Sequence, residues 1–349
     1  MKTLEVSCSR SYTIYVGSGM FSRAGHLIKE KFPGKKICIV TDENVAQLYL
    51  SDFEGELDAA GVTHESFVFS PGEHNKTLAT VEQILCFLNE KSFTRSDILV
   101  AFGGGITGDI TGFAASVYLR GLEFVQIPTT LLAAVDSSVG GKTGVNLGGL
   151  KNQVGTFWQP SAVICDPLLF DTLPKTELAS GMAEVIKYAA ICDPSLGAKL
   201  CKEYDMTEMI YECVKIKRDI VSEDERDTGR RQLLNLGHTF GHGIEKVSNN
   251  SYTHGQAVAI GTVMAFRAAE KMGICEAGEA EKAKLLLSAY SLPTECPFNP
   301  YNLLFAMQSD KKRAGEKMTL VLPRSFGDCI LYRTDMSALP EILGYALGK

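Results

Sequence analysis

Residues 95–121 read RSDILVAFGGGITGDITGFAASVYLRG, and the order of residue types along them decides the fold class. A short continuous apolar run at 98–102 has the character of a strand buried on both faces. Gly103, Gly104 and Gly105 then make a turn, and a run of small and apolar residues continues as a helix. The same plan recurs on both sides. KKICIVTDENVAQLYL (35–50) is an apolar strand, a polar turn and a helix. HESFVFSPGEHNKTLATVEQILCFLNEKS (64–92) repeats it through a Pro-Gly turn, and LEFVQIPTTLLAAVDSSVGGK (122–142) gives another strand ending at proline. Continuous apolar strands alternating with helices predict a parallel sheet covered on both faces. The expected fold is an α/β N-terminal domain with a doubly wound, mostly parallel, Rossmann-like sheet.

Beyond residue 170 the strand signals fade. GQAVAIGTVMAFRAAEKM (255–272) and AEKAKLLLSAY (280–290) are helical, and one β-like stretch, KMTLVLPRSFGDCILYRT (317–334), comes late. The expected division is an α/β domain over 1–170 and a mainly α-helical domain over 171–349, with a site in the cleft between them.

Composition sets the outer limits. Of 349 residues, 45% are hydrophobic and 22% charged, as in ordinary globular proteins. No apolar run reaches the roughly 20 residues that span a bilayer. The opening stretch, MKTLEVSCSRSYTIYVGSG, alternates like a strand and lacks the apolar block of a signal peptide. The ten cysteines are scattered singly from Cys8 to Cys329 without a CxxC pair, which favours a reducing compartment, and the cytoplasm is expected. A formal net charge of −6 argues against general nucleic-acid binding. An anionic ligand therefore needs local cations.

The glycine turn allows a ligand to approach the backbone, and a helix N-terminus behind it offers amide donors to a pyrophosphate. It lacks the GxGxxG spacing. Its neighbours add weight: Asp42 and Asn44, then Glu73 and Lys76, then Thr129 and Thr130, all follow apolar strands. The carboxyl ends of strands in a doubly wound sheet converge on one crevice, so a nucleotide site is expected there.

A second cluster is LLNLGHTFGHGIE (233–245) followed by YTHGQAVAIG (252–261). Three of the six histidines, His238, His242 and His254, fall in it. His238 and His242 lie one helical turn apart on a shared face. Imidazoles with one carboxylate make a divalent-metal site that leaves a position open for substrate. The best carboxylate is Glu184, alone in the apolar helical stretch SGMAEVIKYA. Spacing leaves open which two histidines bind, and which divalent ion.

Taken in order, PGEHNK, GGGITGD, YLRG, PTTLLAAVDSSVGGKTGVN, KNQVGTFWQP, TLPKTELASGMAEVIKY, LLNLGHTFGH, HGQAVAIG and SDKK resemble the 3-dehydroquinate synthase family over nearly the whole chain. The longest of these stretches are highly specific. The resemblance implies a phosphate-eliminating lyase that uses NAD and Zn²⁺ or Co²⁺ and makes 3-dehydroquinate from 3-deoxy-D-arabino-heptulosonate 7-phosphate. It implies Glu184, His238 and His254 as metal ligands, with His242 on the substrate side. NAD would lie against Asp42, Asn44, Pro71, Gly72, Glu73, His74, Asn75 and Lys76, and against Gly104, Gly105, Ile106, Thr107, Gly108 and Asp109. Thr129, Thr130, Lys142, Lys151, Leu169, Phe170, Asp171 and Thr172 complete that set. Asn152, Lys187, Lys217, Arg231, Asn235, His242 and Lys312 would bind substrate, and Asp136, Lys142, Lys187, Asn235 and His242 would take part in catalysis. Arg120 would reach the partner's site in a homodimer.

The implied chemistry is a transient oxidation, β-elimination of phosphate, re-reduction, ring opening and an intramolecular aldol, with no net redox change. Arg231 suits a forked anion contact, while Lys142, Lys187 and Lys217 act as point charges. Either His242 or the leaving phosphate carries protons. One departure is visible: Gln256 stands where the family usually has Glu, which puts the surroundings of His254 in question. The rival readings are a sibling sugar-phosphate cyclase, a glycerol-dehydrogenase-like alcohol dehydrogenase, and a non-catalytic scaffold with the same fold. Turnover of the family substrate separates them.

Overall fold

The computed structural model describes residues 1–249, 251–311 and 317–348. The chain divides into two compact units. The first comprises Met1–Leu173 and Met206–Glu225, the second Pro174–Asp205 and Arg226–Lys349. Helix Met206–Glu223 thus belongs with the sheet, whereas the sequence division put it in the helical half. Its amphipathic pattern announces one buried face without saying what covers it.

The first unit is built on strands β1 (Lys2–Val6), β2 (Tyr12–Val16), β3 (Ile37–Asp42), β4 (His64–Phe69), β5 (Ile98–Gly103), β6 (Glu123–Pro128) and β9 (Ala162–Cys165). They lie in the order β1-β2-β9-β6-β5-β3-β4. Only β1 and β2 pair antiparallel; every other pairing is parallel. All six residues of β5 are buried, because helices cover both faces. The apolar run at its centre has no polar side to present.

From β3 the chain moves outward to β4, then returns past β3 to β5 and continues the other way to β6. The order therefore reverses between β3 and β5, and ligands of such sheets bind outside the carboxyl ends at that point. Asp42 ends β3 and Gly103 ends β5, directly before helix Gly105–Val117. A separate hairpin joins β7 (Lys142–Leu147) to β8 (Leu150–Phe157). The sequence reading has no counterpart for it, since Gly144, Gly148, Gly149 and Gly155 break its alternation.

In the second unit helix His254–Lys271 is buried on every side, with Val258, Ile260, Val263, Met264 and Phe266 at most 1% exposed. A helix apolar all round belongs at the centre of a unit. Helices Lys175–Cys192, His238–Val247 and Glu279–Ala289 pack on it. The late β-like stretch forms a hairpin of β10 (Lys317–Ser325) and β11 (Asp328–Asp335). Among the described residues no helix is long and apolar enough to cross a membrane.

Candidate active site

Three helices of the second unit bring Glu184, His238 and His254 together. Helix Lys175–Cys192 carries Glu184, while His238 and His254 each open a helix. Local contacts fix the approach. The Gly255 amide donates to Ser180 Oγ at 2.9 Å, which ties the start of one helix to the helix that bears Glu184. Gly237, just before His238, has φ of +77°, and its carbonyl oxygen would lie 2.1 Å from any Cβ on Gly261. Only glycine at 261 lets the two histidine-bearing helices come this close.

Glu184 is fully buried. Its Oε1 lies 3.8 Å from His238 Nε2 and 3.5 Å from His254 Nε2, and Oε2 is ion-paired with buried Lys187. The three donor atoms fall within 4.8 Å of one another. A tetrahedral ion about 2.1 Å from each donor keeps its ligands about 3.4 Å apart, so the set fits a single divalent cation. The imidazoles are oriented from behind. His238 Nδ1 donates to the Leu236 carbonyl at 3.0 Å, and His254 Nδ1 donates to Glu245 Oε1 at 3.2 Å.

Their electrostatics differ accordingly. Burial, with Lys187 adding to it, pushes His238 down to about 3, so this ring is neutral. Burial pushes His254 the same way, but the hydrogen bonds to Glu184 and Glu245 outweigh it and lift the ring to about 9. The carboxylates around His254 thus favour positive charge there, which a bound metal ion would supply in place of that proton.

His242 stands apart from the cluster. Its ring centroid is 5.6 Å from His238 and 6.3 Å from His254. With Asn235, His238, Gln232, Met307 and Thr319 it lines an open cavity of ≈ 220 Å³. Arg231 is 1% exposed in the turn Arg230–Asn235. Gln256 is accounted for: its Oε1 accepts from the Thr253 amide at 2.9 Å, and Thr253 Oγ1 accepts from its own amide, a reciprocal helix cap. It does not orient His254. Lys312 lies outside the described residues.

In the first unit the expected nucleotide residues gather at the strand ends. Asp42 Oδ1 accepts from the Asn44 and Val45 amides, and Thr107 Oγ1 donates to its Oδ2 at 3.3 Å. Gly104, Gly105, Ile106, Thr107 and Gly108 form the first turn of helix Gly105–Val117. Thr129 and Thr130 follow β6, where the Thr129 amide bonds Gly103 O and Thr130 Oγ1 accepts from the Ala133 amide. Buried Lys76 donates to Asp109 at 2.5 Å and to Asn152 at 2.6 Å. The Asn152 amide donates to Asn146, whose side chain donates to Glu73 at 2.9 Å. Burial holds the Asp109 carboxyl above its usual range against the pull of Lys76.

Lys217 is ion-paired with Asp136 and donates to its backbone oxygen at 2.6 Å. Pro71, Gly72, His74 and Asn75 make the turn around Glu73. Lys142 and Lys151 lie on the β7–β8 hairpin. Asp171 and Thr172 are exposed, the latter bonded to Tyr49 at 2.8 Å, whereas Leu169 and Phe170 have core side chains and offer a ligand only backbone. Arg120 is exposed in a turn where Leu119 and Arg120 hold φ of +47° and +70°.

Two polar residues escape the sequence reading. Asn146 sits inside TGVNLGG, where a hairpin asparagine looks like turn chemistry. Glu245 follows His238 by seven residues, two helical turns, a spacing that places both on one face.

Profiles of the 3-dehydroquinate synthase N-terminal and C-terminal domains match residues 66–180 and 181–313. The chain belongs to the 3-dehydroquinate synthase family. A 3-dehydroquinate synthase of Rhodospirillum rubrum is 43% identical over 93% of this chain and 89% of its own length. One from Neisseria gonorrhoeae is 42% identical over 98% and 99%, and one from Clostridium acetobutylicum 40% over 96% and 97%. Among solved structures, 2-deoxy-scyllo-inosose synthase with carbaglucose-6-phosphate, NAD⁺ and Co²⁺ aligns with a TM-score of 0.88 at 24% identity, over 98% of this chain and 99% of that one. The 2-epi-5-epi-valiolone synthase of Streptomyces hygroscopicus with NAD⁺ and Zn²⁺ aligns at 0.88 and 25%, over 99% and 98%. This fold likeness agrees with the doubly wound sheet and helical second unit expected of a 3-dehydroquinate synthase family member.

Proposed function

We propose that the chain converts 3-deoxy-D-arabino-heptulosonate 7-phosphate to 3-dehydroquinate and phosphate, with NAD and one divalent ion, Zn²⁺ or Co²⁺, as cofactors. The observation that carries this reading is the convergence of Glu184, His238 and His254 in a chain of the 3-dehydroquinate synthase family. When bound, the ion supplies Lewis acidity to substrate oxygens and the nicotinamide a reversible hydride acceptor.

The protein's own groups would divide the remaining work. Glu184 offers one oxygen to the ion because Lys187 occupies the other. Asp42, at the point where strand order reverses, suits a ribose hydroxyl, and the helix start after Gly104 suits the pyrophosphate. Lys76 ties Asp109 and Asn152 into one network, so that Asn152 is held where β8 begins. Lys142, Lys217 and Arg231 supply cations for a substrate that carries both carboxylate and phosphate. Asn235 orients substrate beside His242, which holds or passes a proton in the cavity the two residues share. Arg120 serves the partner's site of a homodimer. The left-handed backbone of Leu119 and Arg120, costly for residues with a Cβ, supports a specific use for that turn. The cytoplasm belongs to the same reading.

The test is phosphate release from the named substrate. Release should need only catalytic NAD, stop with a chelator, resume with zinc or cobalt, and leave no net NADH. Turnover of glucose 6-phosphate in its place, or NADH accumulating in step with substrate use, would overturn the reading.

A further inference from the structure

The carboxylate behind His254 has no role in the scheme above. Glu245 is 3% exposed, and its Oε1 accepts from His254 Nδ1 at 3.2 Å. A neutral imidazole carries one N–H. An acceptor-only carboxylate on Nδ1 therefore leaves the Nε2 lone pair facing outward. Here Nε2 is the atom 3.5 Å from Glu184 Oε1.

The arrangement is asymmetric. His238 rests on the neutral carbonyl of Leu236, while His254 rests on a charged group. Glu245 also rides on helix His238–Val247, so that helix brings one imidazole itself and steers the other from across the packing interface. Gln256, although it adjoins His254 in sequence, spends its side chain on the helix cap. A carboxylate is costly to bury without a donor, and the N–H at His254 Nδ1 supplies one to Glu245.

We propose that Glu245 is a positioning residue, which sets His254 with Nε2 toward the divalent ion and adds negative charge behind it. This rests on Glu184, His238 and His254 being the metal ligands. The experiment uses the full chain and reads metal binding directly. Zn²⁺ and Co²⁺ affinities are measured against a competing chelator, together with the visible spectrum of the Co²⁺ form, for wild type, Glu245→Gln, Glu245→Ala and His254→Ala. A glutamine can accept from or donate to Nδ1, so it no longer dictates the tautomer.

Glu245→Gln should weaken metal binding about 10- to 100-fold and change the Co²⁺ spectrum. NAD binding should be unchanged, which also shows that the variant is folded. Glu245→Ala should lose more. Wild-type affinity and spectrum in Glu245→Gln, with binding lost in His254→Ala, would overturn the role of Glu245 and leave the ligand set standing. A lower melting temperature alone, with the Co²⁺ spectrum intact, would likewise overturn it, because a purely structural carboxylate leaves the spectrum alone. Undiminished binding in His254→Ala would instead remove the ligand assignment beneath it.

Discussion

His242 shares a helix face with His238 yet lies outside the trio around Glu184, and its consequence is a separation of functions. His242→Ala should keep one metal per chain and bind NAD normally while turnover falls about 10²–10⁴-fold, the range of a lost proton-transfer group. Metal analysis beside single-turnover kinetics checks both halves. A second residue carries a pH signature. Arg267, with Lys284, holds the Glu295 carboxyl at about 2 against an ordinary value of 4.5. A depressed carboxylate stabilises the fold above its unfolded value and loses that effect as pH falls toward the folded one. Because Glu295 is largely exposed, Glu295→Gln should cost only about 0.2–1 kcal/mol at pH 7. The difference from wild type in urea unfolding should narrow below pH 4.5. At this scale the sequence speaks clearly for Glu184, since a lone acid in an apolar helix demands a partner. It leaves the histidine pair open, because spacing along one helix is silent about what arrives from another.

Among elements, the packing of helix His238–Val247 against helix His254–Lys271 sets how closely His238 and His254 approach. A methyl group at 261 meets backbone, the carbonyl of Gly237, which cannot turn aside as a side chain would. Gly261→Ala should therefore destabilise by about 1–3 kcal/mol and, by parting His238 from His254, weaken Zn²⁺ binding as well. Calorimetry and metal titration on one preparation measure the two effects. The stretch at 95–121 was readable because a strand covered on both faces must be apolar throughout. The β7–β8 hairpin was not, because its glycines erase the alternation that marks a strand. Helix Met206–Glu223 was readable as a helix but not as a companion of the sheet, since an apolar stripe does not identify its neighbour.

For the whole molecule, the turn at Arg120 makes a claim about assembly. If Arg120 completes a site in the partner, Arg120→Ala and His242→Ala chains should each be nearly inactive alone, while co-expressed mixtures regain activity. In a mixed pair one site keeps both intact groups. Failure of the mixture to exceed either variant would place Arg120 in its own chain's site. The expectation of a homodimer rests on resemblance alone, because no local rule of helix or strand patterning speaks of a second copy.

The thiols offer a use that has nothing to do with catalysis. None of the ten cysteines is in a disulfide. Burial pushes Cys38 on β3 and Cys165 on β9 up to about 12, and Cys329 on β11 is raised as well. Such sulfurs ignore alkylating reagents until their strand opens, whereas Cys86, Cys192 and Cys201 are exposed from the start. Each unit thus contains a native clock: the labelling rate at Cys38 times the breathing of the sheet, and that at Cys329 times the breathing of the hairpin, with no engineered probe.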